Sequence, residues 1–439
     1  MFTVGYSRVD ITPTESVPLA GFGNTSRRMS NKILDPLYAT CTALTDDAGV
    51  TVLLFHNDII GSPVHIADPI RKAVSDATGV PFDHVIVGST HTHSGPDIWN
   101  TAVPSIPRYN ATLPGKLAQC ATAAMADRKP AEGFYGTANT HRLNFVRHYI
   151  LEDGNYVGSN FGSQHKSPIL GHATEADSEM RLVKFVRQGG KDVILVNWQA
   201  HPTRTGGSDR FNISPDFVAT FRKEMEDALD CHFTYFTGGA GNISPISRLP
   251  EEHVVDSYRE HGKALKDHAL TAVYQPLTLG PIRVTVNRHQ ELLNRPDPKL
   301  LELARPIAEY WVKTNDWPGS VAMAVEKGFS SQFAATNVIR RHNAENDIIP
   351  IPMTAISFGD FGFAAVPYEM FDTNAKYVRD NSPFKVTFVS STTNASVMYI
   401  PSAYGFLHGC YEAACTDCKP GTGERLANIL IRMLEDVKE

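Results

Sequence analysis

The stretch His84-Val85-Ile86-Val87-Gly88-Ser89-Thr90-His91-Thr92-His93-Ser94-Gly95-Pro96 holds an apolar run of strand length and, directly behind it, a polar turn with two histidines. Runs this short and this apolar fit strands buried on both faces of a sheet. Others lie at 52–55, 193–196, 232–236, 361–366 and 386–389. Between the first two strands, Ile66, Ile70 and Val74 recur at a helical period, as do Leu426, Leu430, Met433, Leu434 and Val437 behind the Gly421-Thr422-Gly423 break. The alternation predicts an α/β protein with a mixed, largely parallel central sheet flanked by helices. The whole chain, 1–439, reads as one catalytic unit. About 280–350 forms an insertion or small subdomain, with a strand at 282–286, helix-like sequence from Lys299 and turn-rich sequence after it. Segments 98–118, 150–178 and 203–216, rich in Gly, Pro, Ser and Asn, read as long functional loops.

Composition narrows the function. Apolar residues make up 42% and charged residues 20%, which excludes collagen-like, disordered and disulfide-scaffold proteins. The 41 Lys+Arg against 47 Asp+Glu contain no basic run, so nucleic acid is not an expected partner. No stretch approaches the ~20 apolar residues of a spanning helix, so stable membrane insertion is not expected. The start, Met1-Phe2-Thr3-Val4-Gly5-Tyr6-Ser7-Arg8, lacks the basic and apolar regions of a signal peptide, and the expectation is a cytoplasmic protein. Six cysteines at 41, 120, 231, 410, 415 and 418 are too few for a disulfide framework. Cys410, Cys415 and Cys418 share a C-x4-C-x2-C spacing with iron-sulfur sites but lack a fourth partner, and read as half-buried packing residues.

Several strand candidates end in polar clusters, and ligands of open parallel sheets bind where the carboxyl ends of strands converge. His91 and His93 stand two apart, on one side of an extended backbone. With His201 and Glu369 they supply the two histidines and a carboxylate of a catalytic zinc set. No H-E-x-x-H helix is present. Ser244 reads locally as a turn serine, since its Gly/Asn/Pro-rich loop has no G-x-S-x-G elbow. The glycine-rich segments lack the Lys-Ser/Thr of a phosphate-binding loop, which excludes nucleotide binding. His261 and His268 read as packing or surface residues of a helix, and Glu175, Asp177 and Glu179 as a solvated face.

Thr90-His91-Thr92-His93-Ser94-Gly95-Pro96, Asn197-Trp198 with His201-Pro202-Thr203, Gly241-Asn242-Ile243-Ser244-Pro245, and Val366-Pro367 before Glu369 form four blocks. Asn394, Tyr399-Ile400 and Tyr411-Glu412 follow at matching spacing, and Val9-Asp10-Ile11-Thr12-Pro13 and Asp35-Pro36-Leu37-Tyr38 precede them. Together these blocks resemble the catalytic N-terminal domain of the neutral ceramidase family, over nearly the whole chain. The resemblance implies a zinc-dependent amide hydrolase with zinc held by His91, His201, Glu369 and Tyr399, the tyrosine entering from the family pattern alone. It makes Ser244 the counterpart of the active-site serine, and His93, Arg142 and Tyr411 the polar groups around the scissile bond, with Arg147 close to Arg142. Zinc would supply an acidified water and polarise the carbonyl, Tyr411 and Arg142 would donate to the oxyanion, and His93 would carry a proton to the leaving nitrogen.

Asp97 and Tyr368 replace glycines of the family pattern and are expected to line the pocket with added charge and bulk. The chain ends soon after the catalytic blocks, without room for the C-terminal immunoglobulin-like domain of ceramidases. A small or polar amide, ester or lactone is therefore expected in place of ceramide. The alternatives are a metal-independent serine esterase or lactonase using Ser244, and a catalytically silent ligand-binding member. Oligomeric state has no signature in the sequence.

Overall fold

Every residue of the strand Thr51–Asn57 is buried, and successive side chains leave for opposite sides. Val52 and Leu54 join one apolar cluster, Leu53 and Phe55 another. The same period of two separates Val193 and Leu195 from Ile194 and Val196, and Phe361 and Phe363 from Ala364 and Val366. What covers the two faces differs. One face of each strand meets a second sheet, the other meets helices.

The computed structural model describes residues 1–23, 25–158 and 167–438. The large sheet runs in spatial order His232–Thr237, Val193–Trp198, Glu179–Arg187, Lys129–Asn139, Thr3–Asp10, Tyr38–Thr45, Thr51–Asn57, Val85–Ser89, with Gln275–Leu277 beside Lys129–Asn139. A four-stranded sheet, Ile282–Leu292, Ile348–Phe358, Phe361–Ala365 and Val386–Ser390, packs against it. Phe358, Phe361, Phe363 and Phe388 from the smaller sheet share their core with Val4, Leu54, Phe185 and Phe236 from the larger. Helices Val64–Thr78 and Ser105–Ala126 cover half of the large sheet's outer face, and Phe217–Leu229 with Tyr258–Ala269 cover the rest. Asp372–Asp380 and Thr422–Asp436 cover the smaller sheet. The layers are helix, sheet, sheet, helix.

The sheet expected to be largely parallel is mixed. In the large sheet only Thr51–Asn57 with Val85–Ser89, and Val193–Trp198 with His232–Thr237, run parallel. The remaining pairings there are antiparallel. In the smaller sheet the parallel pair is Phe361–Ala365 with Val386–Ser390. A continuous apolar run reports that both faces are covered, and a second sheet covers as well as a helix does, so burial carries no information on strand direction.

Two of the expected loops also differ. Segment 98–118 enters the helix Ser105–Ala126, whose buried Ile106, Tyr109, Leu113, Leu117 and Cys120 form one stripe. Burial of that stripe outweighs the ~3 kcal/mol that Pro114 costs a helix interior. Segment 150–178 carries parts of a three-stranded sheet, His148–Leu151, Tyr156–Gly158 and Ile169–His172, while 159–166 lies outside the described residues. Between Ile282–Leu292 and Ile348–Phe358, which pair along their whole length, the chain makes three helices, Pro298–Thr314, Trp317–Glu326 and Gln332–His342. Side chains of Asp297, Asp316 and Ser331 cap them, so the sequence that read as turn-rich after the first helix contains two helix starts. Among the described residues no helix is long and apolar enough to cross a membrane.

Candidate metal and catalytic site

The parallel pairs bring their carboxyl ends to one region, where buried amides tie the two sheets together. Asn197 donates to the carbonyls of Phe236 and Val389, 3.0 Å each, and accepts from the Val389 N–H at 3.1 Å. Asn394, with φ of 62°, accepts from the Val87 N–H at 2.9 Å. The Thr237 hydroxyl donates to the Thr90 carbonyl at 2.9 Å. Asp58, fully buried, is bidentate with Arg222 at 2.8 and 2.9 Å and anchors the turn before Ile60.

On this frame His91 and His201 are fixed through the same ring atom. His91 Nδ1 lies 2.6 Å from the Ile60 carbonyl and His201 Nδ1 3.0 Å from the Ile243 carbonyl. A carbonyl only accepts, so each Nδ1 carries the proton and each Nε2 points inward. Both Nε2 atoms meet one oxygen, Oε2 of Glu369, at 3.2 Å from His91 and 3.0 Å from His201. The Glu369 segment is held by the Gly241 N–H, which donates to Met370 at 2.8 Å. A Cβ on Gly241 would come within 2.6 Å of the Glu369 carbonyl oxygen, so the loop approaches this closely only as glycine. Tyr399 stands directly opposite Glu369 in the parallel register of Glu369–Met370 with Tyr399–Ile400, and its ring stacks on His201 at 6.4 Å.

His93 completes a group of three imidazoles whose ligating atoms lie within 4.8 Å of one another. The expected extended backbone is absent, because His91 has φ of 67° and the turn itself brings the two rings to 5.2 Å. Both ring nitrogens of His93 are buried without a hydrogen-bond partner among the described residues.

Burial alone would raise the Glu369 carboxyl, but His91 and His201 hold it well below its ordinary range. Burial, helped by Arg147, pushes His201 down to about 4. Burial and Glu369 raise the Tyr399 phenol, and Arg147 opposes them.

A cavity of about 510 Å³ opens beside the histidines, lined in part by His93, His201, Ser244, Arg147, Tyr399 and Tyr411. Arg142 is not in it. That side chain is exposed and its charge acts on Glu252, while Arg147, five residues on, lines the cavity. Asp97 and Tyr368 do not line the cavity either: Asp97 is hydrogen-bonded to Thr25 and the Trp99 backbone, and Tyr368 is fully buried in the core under the smaller sheet. The Ser244 hydroxyl donates to the Ile246 carbonyl at 2.7 Å and accepts from the Ile246 N–H at 3.0 Å.

Sequence reasoning passed over the support of Arg147. Its Nε donates to Glu412 at 2.6 Å, one terminal nitrogen donates to the Gly241 carbonyl at 2.8 Å, and its guanidinium lies 5.5 Å over the Tyr399 ring. His148 takes the other Glu412 oxygen at 2.8 Å. The signal was present in the Tyr411-Glu412 pair and in the nearness of Arg147 to Arg142. Phe22, Trp317 and Phe333, which also line the cavity, have no signal in the sequence. Cys410 stands near His148 and Glu412, apart from a cysteine cluster, and all six cysteines are buried free thiols. His261 packs between Trp198 and Phe217.

The chain is ceramidase-like in sequence and fold. Neutral ceramidase of Pseudomonas aeruginosa is 24% identical over 284 residues, covering 60% of this chain and 40% of that protein's length. The crystal structure of that organism's neutral ceramidase superposes with a TM-score of 0.72 at 16% identity, covering 100% of this chain and 74% of the other. A ceramidase complexed with C2 gives 0.73 at 16% identity, covering 100% and 75%. No protein-family model matches the chain.

Proposed function

We propose that the chain is a zinc-dependent hydrolase that cleaves an amide, N-acyl bond. The observation that carries this reading is the meeting of two carbonyl-locked imidazoles on one carboxylate oxygen. A proton shared between these Nε2 atoms and the carboxylate is what lowers the Glu369 carboxyl, and a divalent cation takes the same place as a shared ligation centre. The residues fit zinc: His91, His201 and Glu369 are its preferred donor types, with Tyr399 opposite the carboxylate. Bound there, zinc supplies Lewis acidity toward an amide carbonyl and acidifies water to near neutrality.

The chain's own groups do the rest. Arg147, fixed by Glu412 and the Gly241 carbonyl, sets a positive charge against Tyr399 and favours its ionised, ligating form. Tyr411, lining the cavity, donates its hydroxyl toward the oxygen on which negative charge develops. His93, with both ring nitrogens unpartnered, moves the proton to the departing nitrogen. Ser244 lends an oxygen that orients the substrate. Its proton is engaged by Ile246 and no histidine hydrogen-bonds to it among the described residues, which disfavours the serine esterase reading. The arginine and hydroxyl groups of the cavity wall support a small or polar substrate.

The test is metal analysis joined to turnover. Purified protein is expected to hold one zinc per chain, to hydrolyse a panel of N-acyl amides, and to lose both metal and activity in His201→Ala and Glu369→Gln. Chelator-insensitive turnover rejects the reading in favour of the serine enzyme, and ligand binding without turnover favours a silent binder.

A further inference from the structure

A second chamber, about 350 Å³, shares Phe22, Gly23, Arg210 and Trp317 with the main cavity and so lies directly beside it. Three arginines line it, Arg27, Arg28 and Arg210, and neither chamber has an aspartate or glutamate among its described lining residues. Arg28 is the telling one. It is 2% exposed, and its hydrogen bonds go to the carbonyls of Ala20, His93 and Arg210 and to the Ser94 hydroxyl. Its guanidinium lies 4.6 Å over the Phe22 ring. Arg210 is exposed at the rim with Phe211 under it, and Arg27 is exposed with the Lys313 carbonyl as its partner. None of the three makes an ion pair with a carboxylate among the described residues, although a buried guanidinium is ordinarily paired. The wall opposite is aromatic: Trp317 and Trp311 meet edge to face, and both come from the three-helix excursion between the long strands of the smaller sheet.

Fixed positive charge without a counterion, set beside a reaction cavity and backed by rings, suits an anionic group carried on an otherwise slender ligand. We propose that the substrate bears an anionic oxyacid group, a carboxylate or a phosphate, on the arm that leaves the metal site past Phe22 and Trp317, and that Arg27, Arg28 and Arg210 receive it. This rests on the hydrolase reading for the bond that is cleaved, and on the chamber alone for the charge.

Calorimetric titration of the full, zinc-loaded chain tests it with three probes that share one acyl group: N-butyrylglycine, N-butyryl-2-aminoethyl phosphate and the neutral N-butyryl-2-methoxyethylamine. The anionic probes are expected to bind roughly ten- to a hundredfold tighter than the neutral one, with an advantage that shrinks as salt rises. Arg210→Gln combined with Arg27→Gln keeps Arg28 and the Arg210 backbone carbonyl that it uses, and is expected to lower the anionic-to-neutral ratio severalfold at an unchanged melting temperature. Whichever anionic probe binds tighter identifies the oxyacid. Equal binding of all three probes, or a ratio that the double substitution leaves intact, overturns the inference. Hydrolysis of the three at equal kcat/KM likewise overturns it while sustaining the hydrolase. Selective binding of the anionic probes with no turnover sustains it and rejects the hydrolase.

Discussion

Glu412 is a carboxylate with both oxygens committed, one to Arg147 at 2.6 Å and one to His148 at 2.8 Å, at 1% exposure. Burial would raise it, but His148 and Arg147 hold it far below the ordinary 4.5. Removing one partner of a buried pair strands the other, so Glu412→Gln is expected to cost about 3 to 5 kcal/mol of unfolding free energy by urea titration. A carboxyl lowered in the folded state stabilises fully above its unfolded value and loses that contribution as pH falls toward the folded one. The difference between native chain and variant is therefore expected to be complete at neutral pH and to shrink below 4.5. Gly21 offers a second residue-scale test. Its φ is +98°, and a Cβ there would lie 2.3 Å from His93 Cγ. Gly21→Ala is expected to cost about 1 to 2 kcal/mol from the left-handed backbone alone, and to lower kcat by displacing the His93 ring, read out as turnover with zinc content unchanged.

At the scale of elements, the strand ends matter more than the strands. Asn197 bridges the carboxyl ends of Val193–Trp198, His232–Thr237 and Val386–Ser390. Asn197→Leu leaves two buried carbonyls and an N–H unpaired, with an expected loss of about 2 to 4 kcal/mol and weaker metal retention on dialysis, since His201 follows the same strand. The three-helix excursion makes the opposite kind of contribution. Its Phe333 meets Trp317 at 5.4 Å and Tyr411 at 6.2 Å, so the helices build a wall of the cavity. Phe333→Ala is expected to raise KM more than it lowers kcat. The boundaries of this segment were legible from the strand at 282 and the helix signal at Lys299. That its aromatic residues face the site was not, because their partners Phe22 and Tyr411 lie about 300 residues before and 80 after.

For the molecule as a whole, metal binding at the proposed site would be linked to folding. The three metal-seeking side chains come from different strand ends, so the unfolded chain cannot present them together. Zinc at a hundred times its dissociation constant is expected to raise the unfolding free energy by about 2.7 kcal/mol, seen as a rise in melting temperature that His201→Ala abolishes.

What the sequence determined by itself was local: which runs are buried, where helices recur at their period, and which polar clusters follow the strands. Those depend on side-chain pattern over a few residues, and His91, His93, His201, Ser244 and Glu369 were singled out that way or through the resemblance the clusters carry. Only the tertiary structure decided strand direction, the placing of Arg147 and not Arg142 on the cavity wall, the position of Asp97 and Tyr368 away from it, and the arginines beside it that make no ion pair among the described residues. A buried strand reads the same beside a helix or a sheet, and two arginines five residues apart differ only in what the rest of the chain folds against them.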